Sequence, residues 1–145
     1  MSTRRLILAA LLCGLAILVA GGLQLVRLSG SDTVVAVARV GESASVAGVR
    51  ATVLGQELAG PLVLVTVRLE PGTPVADAAA GWALNAGGLR AQAQPPAGRS
   101  IAPCRGASVG AGATLTCELA FTGGEGRPTV SYSTGGQQRL WALGG

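Results

Sequence analysis

The chain has no lysine and no histidine, and its only aromatic residues are Phe121, Tyr132, Trp82 and Trp141. These absences remove most of the common catalytic chemistry. General acid–base catalysis at neutral pH relies mainly on His, with tuned Lys or carboxylates as substitutes. A serine nucleophile would find neither a His nor a Lys base. A zinc site would lack the imidazole that usually completes a cysteine shell. Charged residues make up only 12% of the chain and are scattered, so no acidic or basic block occurs.

The formal net charge of +4 suggests an anionic partner until the charges are located. From Ser29 onward there are eight arginines and seven acidic residues, a net of +1. The excess belongs to Arg4, Arg5 and Arg27, so the footprint of a nucleic-acid binder is missing and none is expected as a partner. Asp32, Glu42, Glu57, Glu118 and Glu125 lack calcium-loop spacing, and no metal or other cofactor is called for. Gly110-Ala111-Gly112 reads as a turn, because neither a third glycine nor a following Lys-Ser/Thr makes it a phosphate loop.

What is present first is an apolar run. Residues 6–26, LILAALLCGLAILVAGGLQLV, carry no charge and one strongly polar side chain, Gln24. As a helix the run is about 32 Å long, enough to cross a hydrocarbon core of about 30 Å. Arg4 and Arg5 at one end against Arg27 at the other predict a cytoplasmic N-terminus, with residues 1–5 as a stub and everything beyond the helix outside the cytoplasm. The lipid bilayer is then the first partner. A cleaved secretory signal is the competing reading, with Val19-Ala20-Gly21 as the cleavage region. The run continues through Leu23, Leu25 and Val26, beyond the 7 to 15 or so residues of a signal core, which favours an uncleaved anchor. Cys13 follows bulky Leu12 and is itself followed by more apolar helix, so it reads as a membrane-helix residue rather than a lipidation site.

Residues 27–40 form a tether, with Ser29 to Asp32 at its centre and a first strand at Val34 to Val40. Residues 41–145 make one ordinary domain with a β rhythm. Short runs rich in Val, Thr and Leu are separated by Gly and Pro. In Leu62 to Leu69, Val63, Val65, Val67 and Leu69 share one face, and the partly apolar second face suggests a central strand. Further strands are predicted at Ser43 to Val46, Val49 to Leu54, Trp82 to Ala86, Thr114 to Phe121, Thr129 to Ser133 and Gln138 to Leu143. Leu89 to Gln94 is expected to return from Trp82 to Ala86 as a hairpin, and Asp77 to Ala80 to form a single helical turn. Trp82, Phe121 and Tyr132 fall on inward positions; Trp141 is assigned to the core, with exposure on a terminal strand as the alternative. Seven to eight such strands predict an all-β antiparallel sandwich behind one N-terminal transmembrane helix.

Cys104 and Cys117 both lie on the exported side, where a disulfide can persist. Their bridge would tie the core to the segment 95–103, with Pro95, Pro96, Gly98 and Pro103, and contribute about 3 kcal/mol. A redox or metal thiol pair is the weaker alternative, since no CxxC spacing exists.

The stretch from Gly41 onward resembles the telokin-like, immunoglobulin-like extracytoplasmic domains of bacteria whose function is unknown. The resemblance rests on Gly41 to Val46 before the strand Val49 to Leu54, on Leu62 to Leu69, on Trp82 to Gly88, and on Val109 to Gly112 leading into Ala113 to Phe121. Glu70-Pro71-Gly72 stands where that family often has Asn. The resemblance implies an immunoglobulin-like sandwich behind a lipoprotein signal or membrane helix, and it brings no catalytic residues.

The function expected is a membrane-anchored extracytoplasmic binding or structural module of the cell envelope, not an enzyme, with the loops at 70–81 and 95–112 as its contact regions and an envelope component as its unknown partner. A secreted domain released by cleavage is the alternative. A carboxylate-only hydrolase using Glu70 and Asp77 is the remote one.

Overall fold

The computed structural model describes residues 2–29, 36–123 and 126–144. The chain forms two units, an N-terminal helix and a β domain beginning in the mid-thirties. The helix, α1 (Thr3–Ser29), is longer than the apolar run because Thr3, Arg4 and Arg5 join its first turn. Within Thr3–Val26 an 18-residue window reaches a mean hydropathy of 2.7, with none of it buried, so by length and composition the helix could cross a membrane. The expected tether around Ser29 to Asp32 and the start of the strand at Val34 fall largely outside the described residues.

Among the described residues the domain has ten strands, against the seven to eight expected. They are β1 (Val37–Arg39), β2 (Ser43–Val46), β3 (Val49–Ala59), β4 (Leu62–Pro71), β5 (Trp82–Asn85), β6 (Leu89–Arg90), β7 (Gln92–Ala93), β8 (Leu115–Thr122), β9 (Thr129–Thr134) and β10 (Gln137–Ala142). Two five-stranded sheets result, in the orders β1-β10-β9-β5-β6 and β2-β3-β4-β8-β7. The second sheet holds β3-β4-β8-β7 and the first β10-β9-β5-β6, which reproduces the A-B-E-D and G-F-C arrangement of immunoglobulin sandwiches. One ladder departs from the antiparallel expectation, since β1 pairs in parallel with β10, Val37 opposite Leu140 and Arg39 opposite Ala142.

One expected strand is divided into two. Leu89 to Gln94 is not a single returning strand: Leu89–Arg90 pairs with β5, whereas Gln92–Ala93 has crossed to the other sheet and pairs with β8. Alternation alone cannot show a chain changing sheets within one residue.

The core lies between the sheets, and period-two alternation supplies it. Val63, Val65, Val67 and Leu69 of β4 face Cys117, Leu119 and Phe121 of β8 on the same side, all almost inaccessible. Trp82, Tyr132 and Trp141 close the other side, with ring centroids 4.7 Å apart for Trp82–Tyr132 and 5.7 Å for Trp82–Trp141. Trp141 is fully buried, and its Nε1–H donates to the Glu42 carbonyl at 2.9 Å, so its polar edge is satisfied inside the core.

Candidate functional site

At one end of the sandwich the two expected contact loops are joined. Val75 and Val109 exchange both backbone hydrogen bonds at 2.9 Å, and the Ala78 N–H donates to the Ala107 carbonyl at 2.7 Å. Gly112 N–H reaches the Pro71 carbonyl at 2.8 Å. Asp77 begins the expected turn: its Oδ1 accepts from Ala79 N–H at 3.0 Å and from Gly106 N–H at 3.1 Å, which locks one loop onto the other. Beside this junction lies an open cleft of about 520 Å³ lined by Ser45, Arg50, Glu70, Pro71, Gly112 and Thr114 among others. Its walls are hydroxyls, backbone and one loose ion pair, Arg50–Glu70 at 3.7 Å, with both partners solvated.

Glu70 and Asp77, the two acids of the hydrolase alternative, therefore have separate engagements. One lies by Arg50; the other organises a turn. Among the described residues no group of three or more His, Cys, Asp or Glu could hold a metal ion.

The second feature of note lies on the outward face of the sheet β2-β3-β4-β8-β7. Glu57 of β3, Leu64 of β4 and Ala120 of β8 form one cross-strand row, and Thr66 and Glu118 begin the next. These positions point away from the core, yet Leu64, Glu118 and Ala120 are only 1–2% exposed. The Pro-rich segment 94–103, the strap, reaches over this face at Arg99. Its Arg99 sends Nε and Nη2 to the two Glu118 oxygens at 2.9 and 2.8 Å, and Nη1 and Nη2 to those of Glu57 at 3.2 and 2.7 Å. A guanidinium is the one side chain whose fork can serve two carboxylates in this way. Hydrogen bonding to Arg99 holds the Glu57 carboxyl below its ordinary range, and the two carboxylates together push the Arg99 guanidinium up.

The C-terminal foot of the strap is covalent. Cys104 and Cys117 form a disulfide with Cα atoms 4.9 Å apart, and both residues are buried in the core. Cys104 N–H donates to the Glu118 carbonyl at 2.9 Å and Glu118 N–H to Ala102 at 2.8 Å, so the foot also runs along the edge of β8. The disulfide was legible from the two cysteines of the β domain. The Arg99 cluster was not, because Glu57, Arg99 and Glu118 are far apart in sequence and each alone reads as solvated charge. Cys13 is a free thiol exposed on α1. Arg4 and Arg5 lie in the first turn of α1 and Arg27 in its last.

No family model matches the chain, and no curated protein matches it in sequence. Solved structures do resemble it. The yjhA protein of Bacillus subtilis superposes with a TM-score of 0.62 at 12% identity, over 74% of this chain and 99% of its own. The likeness is one of fold. A secreted protein of Mycobacterium tuberculosis, MPT63, gives 0.56 at 16% identity, over 77% of this chain and 99% of its own. The ycdA protein of Bacillus subtilis, described as a candidate lipoprotein, gives 0.58 at 12% identity over 73% of this chain, which spans 38% of ycdA.

Proposed function

We propose that this protein is a membrane-anchored, extracytoplasmic binding or structural module of the cell envelope that performs no catalysis itself. The observation that carries the reading is the pairing of a wholly unburied apolar helix with a disulfide-stapled β-sandwich. Such a helix is stable in lipid, and such a bridge persists where thiols are oxidised. Fold likeness to a secreted protein and to a candidate lipoprotein supports the same side of the membrane. Immunoglobulin-type sandwiches bind through end loops, so the junction of 70–81 with 104–112 and its cleft is the contact end.

The test is topology in intact cells. A C-terminal epitope is expected to be destroyed by externally added protease, while mass analysis of the membrane-bound protein recovers residues ahead of Leu6. An epitope protected until lysis overturns the orientation. Secretion by cleavage is the second reading, favoured by the N-terminal position of the helix. A mature N-terminus beyond Gly22, found in the medium, would establish it in place of the anchor.

A further inference from the structure

The strap over the outward face is fastened at few points. From Pro95 to Ile101 the strap makes one local turn at Ala97-Gly98 and no backbone hydrogen bond to the sheet among the described residues. The strap also curls around a pocket of about 330 Å³ lined by its own residues, so it is not packed solid. What holds its middle is one side chain, Arg99, whose guanidinium sits between Glu57 and Glu118 and hence above the intervening strand β4 at Leu64 and Thr66. Beneath it lie an apolar pair in register, Leu64 opposite Ala120, and a carboxylate, Glu118, that is almost wholly withdrawn from water. A buried carboxylate and an apolar floor are stable together only while a cation covers them.

We infer that residues 94–101 are a releasable strap whose Arg99 occupies, in cis, a docking position on the β3-β4-β8 face, and that the partner taking this position presents a guanidinium on an extended segment. The seated strap itself defines that chemistry: small and proline residues around one arginine. Displacement would swap one guanidinium for another, leaving Glu118 paired throughout, while Cys104 keeps the released strap attached to the core. This inference deepens the binding-module reading and rests on it for its biological setting, but not for its measurement.

The experiment uses the full chain in detergent micelles, disulfide intact, with Arg99→Gln to vacate the position. The probe is the strap's own sequence supplied in trans, a synthetic peptide of residues 94–102, alongside the same peptide with citrulline, the neutral isostere, in place of arginine. In the variant, the arginine peptide is expected to shift the amide resonances of Glu57, Leu64, Glu118 and Ala120. The unsubstituted protein should respond at least about tenfold more weakly, because its own strap competes at a high effective concentration. The citrulline peptide should leave these resonances unmoved. Equal responses to the two peptides, equal responses of the two proteins, or no response in the folded variant each overturn the inference. If Arg99→Gln loses the sandwich, Arg99→Lys replaces it; loss of the sandwich in both shows that the strap is structural and overturns the inference too. A failed topology test with a positive titration would place the same docking face in another compartment, so the two failures are distinguishable.

Discussion

Gly81 is the residue at which backbone geometry leaves least choice. It stands at φ +84° immediately before β5, and a Cβ there would collide with the Ser133 carbonyl of β9. Its own carbonyl accepts from Ser133 N–H at 2.9 Å, so the close approach is what aligns Trp82 opposite Tyr132. Gly81→Ala is expected to destabilise the domain by about 1–3 kcal/mol, read as a lower denaturation midpoint without a change of slope. Glu57 allows a prediction of a different kind. Its carboxyl is held below the ordinary value of 4.5 by Arg99 in the folded state, so the stabilisation it lends the strap is present above that value and is lost as pH falls through the lowered one. The guanidinium resonances of Arg99 are therefore expected to hold constant shifts from neutral pH down to about 5, then to move below about 4.5. In Glu57→Gln that acid step should shrink. An unchanged step would assign it to other carboxylates.

Among the elements, β3 and β4 show what the sequence could and could not display. The strand Leu62 to Leu69 was legible because its alternation is unbroken and its partly apolar second face suggested a central strand, and β4 does lie between β3 and β8. The strand beginning at Val49 was expected to stop at Leu54, where the alternation fails. It continues to Ala59 through a bulge at that point, with Val53 opposite Val67 and Gly55 opposite Thr66. A bulge shifts the alternation by one residue, and a period-two pattern then reads as an ending. Beyond it Leu58 returns to the core-facing side yet stays 77% exposed, near the far end of the sheet. The loops at 70–81 and 95–112 were legible as loops by length and composition, but their mutual pairing was not, because it depends on single backbone bonds such as Val75 to Val109. The disulfide is the element-scale stabiliser. It closes a loop of sequence separation 13, and reduction is expected to lower domain stability by about 3 kcal/mol. Exchange should rise first at Cys104, whose amide bonds the foot of the strap to β8. Uniform loss of protection across β4 and β8 would mean instead that the bridge holds the sandwich as a whole.

At the scale of the whole molecule, two units obey two solvents. α1 offers Leu6, Leu11, Leu12, Ile17, Leu18 and Leu25 at more than half exposure, whereas the β domain buries most of its large side chains and, among the described residues, leaves Val37, Val40 and Leu58 as exposed large aliphatics. Burial of apolar surface is worth about 25 cal/mol per Å², so the anchor reading predicts that the first unit partitions into detergent while the second already holds its core. The division was readable from hydropathy, because a charge-free run of this length has no place in a small sandwich core. A fragment of residues 36–145 is accordingly expected to fold alone, form the Cys104–Cys117 bridge, and unfold at the same midpoint as the full chain in mild detergent. On phase separation of a detergent solution the fragment should enter the aqueous phase and the full chain the detergent phase. A fragment that aggregates or melts earlier would show that the helix contributes to the domain's stability. A full chain that stays in the aqueous phase would show that its apolar residues are shielded by protein, and would remove the physical basis for membrane anchoring.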